Sequence, residues 1–152
     1  MPTAPVQKAG AAKGQAAGLV MIRFCAGIFM LFFGFEKASW LLDSTPLATL
    51  LSFWFTDAPP VSRWFLERMM PGAPVFARLL PVGAMLGGGA LILGFWTRMA
   101  AALSLLVLLS LQLAAGAMFR YAYLSDGSGL PLLGALLALI VGGGKLPWSV
   151  RK

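Results

Sequence analysis

Histidine is absent from this 152-residue sequence, and there is a single cysteine, Cys25. Without a second thiol the chain closes no disulfide of its own and holds no CxxC pair or zinc cluster. Without histidine it lacks the commonest general base and the usual axial ligand of haem. Acidic residues number five, too few for a dicarboxylate cage, so no metal site is expected. No catalytic set stands out, and catalysis by this chain alone is not expected. Charge of either sign is scarce: 11% of residues are Asp, Glu, Lys or Arg, against about 25% in soluble domains.

What is present is apolar. Hydrophobic residues make up 59% of the chain, and the mean hydropathy is +0.84. In water too much of that surface would lie uncovered, which excludes an ordinary soluble domain and a disordered chain. The net charge of +7 therefore reads as membrane topology and attraction to anionic lipid, not as a nucleic-acid footprint.

Residues 79–97 and 99–119 are uncharged runs, each close to the ~20 residues that a helix needs to cross the hydrocarbon core. Arg98 alone separates them. A charge at mid-bilayer is costly, so Arg98 is placed at a tight turn among the headgroups. Gly94 ends one helix there and Thr97 caps the next. The first span covers about 17–42 although Arg23, Glu36 and Lys37 interrupt it; Arg23 snorkels to one surface, and Glu36 with Lys37 lies near the other. The last span covers about 130–148, opens with Pro131 in its first turn and borrows 145–148 to reach across. The sequence thus predicts an all-α integral membrane protein, an antiparallel four-helix transmembrane bundle. Its spans are 17–42, 76–96, 98–120 and 130–148. A flexible tail precedes them over 1–15, and a long amphipathic outer loop fills 43–75, with one membrane domain over 16–149. A cleaved signal peptide is the rival reading of the first span, for which Phe35-Glu36-Lys37-Ala38 is a poor cleavage site.

Lys8, Lys13, Arg98, Lys145, Arg151 and Lys152 fall on one side of this topology, with no acid among them. The positive-inside rule then places both termini in the cytoplasm. In the outer loop, Thr45-Pro46 opens a short helix with Leu47, Leu50, Leu51, Trp54 and Phe55 at helical spacing, and Pro59-Pro60 breaks it. A second helix follows, with Trp64, Phe65 and Met69 opposite Arg63, Glu67 and Arg68, before Pro71-Gly72-Ala73-Pro74 resets the chain. This loop either lies on the membrane surface as an amphipathic flap, or docks a partner or covers a groove.

Two glycine patterns predict close helix packing. Gly83 and Gly87 form a small-residue pair on the second span, which Gly94 terminates. On the first span Arg23, Gly27, Met30, Gly34 and Lys37 fall within about 40° of one line, so this stripe is expected to face protein. No acid of this chain shares the depth of Arg23. Its options are backbone carbonyls, lipid phosphate, the carbonyl of a quinone-like ligand or an acid on another protein. Lys37 is neutralised by Glu36 or Asp126, and Glu36 alternatively meets Arg78 or Arg120. Arg23, Lys37, Glu36 and Arg78 are accordingly the expected ligand or partner contacts. Cys25 is expected in the packed core.

Arg23, Gly27, Gly34 and Lys37, in that spacing, resemble the first helix of the DoxX family. Gly87-Gly88, Gly94, Thr97-Arg98 and Ala100-Ala101 are similar to that family's second helix, turn and third-helix start. Gly142-Gly143-Gly144-Lys145 followed by Ser149 is similar to its ending, so the likeness covers roughly 18–149. The resemblance implies a four-helix protein of the bacterial cytoplasmic membrane, some of whose relatives are linked to thiosulfate:quinone oxidoreductases and others to oxidative-stress complexes. The chain departs from the family at two places. Pro81-Val82-Gly83-Ala84 stands where a glutamate is common, and Phe33 where a histidine often precedes the glycine. The expected role is an accessory subunit of a larger redox or energy-converting membrane complex, respiratory or photosynthetic. It would pack, seal lipid and quinone access, and dock partners, with no cofactor within the chain and a quinone or lipid at a shared interface. The alternatives are a quinone-site subunit in which Arg23 and Lys37 donate to quinone oxygens, and a small transporter.

Overall fold

The computed structural model describes residues 4–120 and 129–143, with side chains from residue 14 onward. All regular structure among the described residues is helical. The helices are α1 (Ala4–Glu36), α2 (Thr45–Thr56), α3 (Pro60–Met69), α4 (Ala73–Leu93), α5 (Thr97–Ala114) and α6 (Leu130–Gly142), with short 3₁₀ turns at Ala38–Leu41, Met70–Gly72 and Ala117–Phe119. Three stretches are long and apolar enough to cross a membrane: Gly14–Glu36, Pro60–Leu93 and Thr97–Ala114. The helix Leu130–Gly142 is apolar but shorter, and residues 144–148 of the expected fourth span lie outside the described residues.

Several expected boundaries move. The tail expected over 1–15 is helical from Ala4, because its alanines, glutamines and lysines are good helix formers that outweigh Gly10 and Gly14. The first helix stops at Glu36, not near residue 42, and the chain continues into the 3₁₀ turn that buries Trp40. α5 ends at Ala114, before the left-handed Gly116 at φ 62°. The α4–α5 turn forms where expected, with Gly94 left-handed at φ 71° and the Phe95 N–H bonded to the Ala90 carbonyl at 2.9 Å. Thr97 is not the cap, however. Trp96 takes that position at φ 44°, and Thr97 is the buried first residue of α5.

Missing side chains let the long helices close on one another. A Cβ on Gly27 would lie 3.0 Å from the Gly88 carbonyl oxygen, and one on Gly34 would lie 3.0 Å from that of Pro81. As α1 ascends, its neighbour on α4 therefore descends, so the two run antiparallel. Gly83 and Gly87 face the other way, against Val107 and Ser104 of α5; these two helices are antiparallel as well. α6 packs between α5 and α1, its Gly142 against Leu19. Arg98 Nη2 donates to the Val141 carbonyl at 3.0 Å, tying the α4–α5 turn to the end of α6.

Two apolar clusters result. One joins Ala26, Leu91, Ala101 and Leu108 to Leu132, Leu136 and Leu139 of α6. The other joins Met30, Leu80, Ala84 and Val107 to Trp40, Leu47, Leu51, Leu66 and Met69. The segment between α1 and α4 is thus a cap packed on the bundle: Leu47, Leu51 and Leu66 have no exposed surface. Asp43 anchors its start, accepting from the Thr45 N–H at 2.9 Å and from Thr45 Oγ1 at 2.6 Å. Those two bonds hold the Asp43 carboxyl below the usual carboxylate range.

Candidate functional site

Lys37 is the first residue beyond α1. Phe33 precedes it by four positions and Trp40 follows by three, so helical geometry sets both rings on its side of the chain. The Lys37 Nζ lies 4.4 Å from the Phe33 centroid and 5.5 Å from that of Trp40. It also meets Glu36 Oε1 at 3.2 Å, with Lys37 18% exposed and Glu36 73% exposed. Of the two acids expected to neutralise it, Glu36 does so; Asp126 lies outside the described residues. Ring faces attract an ammonium, more so when desolvated, so the cation is held rather than left to wander.

These residues form one wall of a cleft of about 420 Å³ at the cap end. α2 contributes Leu50 and Trp54, one helical turn apart. α5 contributes Leu108, Leu111 and Gln112, and Ala115 just beyond its end continues the same face. The cleft is thus lined by flat rings and aliphatic carbon around one ammonium, one carboxylate and one amide. Its size and mixture suit a small ligand, since such pockets are mostly apolar with a few placed polar groups. The sequence reading does not single out Gln112, although a signal is there: it is the one amide in the uncharged run 99–119, and a polar side chain in such a run marks function.

The other expected contact residues are elsewhere. Arg23 is fully buried on the α1 seam, its guanidinium 5.1 Å from the Phe24 centroid, and it is not a wall of the cleft. It is enclosed by protein rather than reaching lipid phosphate. Arg23 and Lys37 are ~21 Å apart along the helix, so the expected joint donation of both to one ligand's oxygens does not arise. Arg78 is exposed on α4, and Glu36 pairs with Lys37 instead of with it. Cys25 is exposed, not in the core, because the side of α1 that carries it points away from the glycine seam. No group of three His, Cys, Asp or Glu residues able to hold a metal occurs among the described residues.

Neither a curated protein nor a solved structure matches the chain. The DoxX family model matches residues 18–117, about two thirds of the sequence. That stretch takes in the seam glycines of α1 and α4, the cap and the α4–α5 turn, while the C-terminal motif lies beyond it. With apolar helices of membrane-crossing length beneath that match, the chain is a membrane protein and belongs to the DoxX family.

Proposed function

We propose that the chain is an antiparallel four-helix transmembrane bundle of the bacterial cytoplasmic membrane, with both termini cytoplasmic. In this reading it serves as a small accessory subunit of a larger redox or energy-converting complex. It holds the head group of a quinone-type ligand in the cleft and presents the cap to its partner subunits. The observation that carries this reading is the ring-walled cleft around Lys37. Because Glu36 already balances the Lys37 charge, an anion gains little there. A neutral, planar head gains more: it stacks on the partly exposed rings of Phe33 and Trp54 and accepts a hydrogen bond from Lys37 Nζ on a carbonyl oxygen. The spans over 76–96, 98–120 and 130–148 carry no acid, which disfavours a proton relay and hence a transporter.

The test uses protein purified in mild detergent and a tail-less quinone. Trp40 and Trp54 line the cleft, so binding should quench tryptophan fluorescence to saturation. Lys37→Leu should weaken that binding about tenfold, the equivalent of roughly 1.4 kcal/mol. Quenching that never saturates, or that is the same in the variant, overturns the reading. Chains that copurify with the protein distinguish the accessory role from an enzyme subunit that turns over quinone by itself.

A further inference from the structure

Two shallow grooves continue from the cleft along α1. The first is lined by Cys25, Ile28, Phe29, Phe32, Phe33 and Glu36, and shares Phe33 and Glu36 with the cleft. The second is lined by α1 from Met21 to Phe29 and by Leu132 and Ala135 of α6, and shares Cys25 and Phe29 with the first. Their volumes are about 730 and 350 Å³. Together they make one furrow from Glu36 down to Met21, ~22 Å along the helix axis. Its charged group, Glu36, sits at the cleft end. Below that the walls are carbon and one thiol.

The shape of this surface indicates what lies in it. Helices associate in lipid through small residues that admit close backbone approach. The glycines of α1 that serve this purpose, Gly27 and Gly34, are already closed against α4. The furrow side instead displays Met21, Ile28 and Phe32, which are 73%, 48% and 67% exposed. Knobs of this size leave slots between them in which a thin flexible chain gains many small dispersion contacts. We propose that the furrow receives the apolar tail of the ligand whose head occupies the cleft, so that the protein selects long-tailed over tail-less forms of one head group. This rests on the head-group site argued above.

Cys25 makes the proposal measurable. It is the chain's one cysteine, it is exposed, and it lies where the two grooves join. The native protein in detergent is treated with N-ethylmaleimide in the presence of two forms of the same quinone, one with a long isoprenoid tail and one without. Tryptophan quenching reports occupancy of the cleft in each sample. Both quinones should quench, and the long-tailed form alone should slow Cys25 alkylation, by about fivefold or more. Quenching by both with unchanged alkylation overturns the furrow and leaves the head-group site standing. Equal slowing by the tail-less form, or by a phosphatidylethanolamine that lacks the head group, overturns it too. Quenching by neither removes the head-group site, and the furrow with it.

Discussion

A Cβ on Gly88 would lie 2.5 Å from the backbone nitrogen of Leu31 and 2.7 Å from the carbonyl oxygen of Gly27. Both are main-chain atoms of α1, which cannot swing aside as a side chain does. Gly88→Ala should therefore push α1 and α4 apart and destabilise the protein by about 2–3 kcal/mol. The adjacent Gly89 has nothing within 4 Å of its Cβ position. Gly89→Ala should be neutral, or stabilising by up to ~1 kcal/mol through helix propensity. Thermal unfolding of the two variants side by side checks this, and equal stability would remove the close approach as a source of strength. The triplet Gly87, Gly88 and Gly89 also shows what a sequence conceals. Its three notches are visible, but successive residues point ~100° apart, and only the fold assigns one to α5, one to α1 and one to open space. Cys25 makes a similar point. In lipid an exposed apolar residue carries no penalty, so hydrophobicity does not say which side of α1 meets protein.

At the level of elements, the Arg98 bond to Val141 joins two helix ends that are 43 positions apart. Arg98→Ala leaves that carbonyl without its cationic donor and costs about 1 kcal/mol. Hydrogen–deuterium exchange should then quicken roughly fivefold at the end of α6, while the amides of α4 keep their protection; no change in α6 would show the clasp to be idle. Where elements begin and end was legible at several prolines and at Gly94, though not at Gly116, which ends α5 six residues short of the expected span. Pro46 starts α2, Pro59 and Pro60 separate it from α3, and Gly94 closes α4. It was not legible at the end of α1, where apolar residues continue to Leu42. Composition does not register that the chain turns at Lys37 to run beneath its own cap. For the same reason the loop helices read first as a surface flap, although their Leu47, Leu51 and Leu66 are core.

Across the whole molecule, the stripe of Arg23, Gly27, Met30 and Gly34 on the buried side of α1 follows directly from helical spacing. The cleft does not. It needs Lys37, Trp54 and Gln112, which three different elements supply, and no local pattern foretells their meeting. The basic residues do bear on orientation. A green fluorescent protein fused to the C-terminus should fluoresce, and alkaline phosphatase fused there should stay inactive, if both termini lie in the cytoplasm as proposed. An Arg63→Cys variant, made on a Cys25→Ser background, should react with an impermeant maleimide from the periplasm. The reverse pattern would invert the proposed topology and put the cleft at the cytoplasmic face.

One consequence concerns α1 beyond the lipid. Its 33 residues make a rod of ~50 Å, while the hydrocarbon layer is ~30 Å deep. About 20 Å of the same unbroken helix is therefore left over beyond the hydrocarbon layer, and in the proposed topology that surplus falls at the end that carries Lys8 and Lys13, as a mast fixed to the hull. Any tilt of the embedded shaft is carried out to that mast as lateral travel, so whatever grips it from the water side is geared to the movements of α1 below.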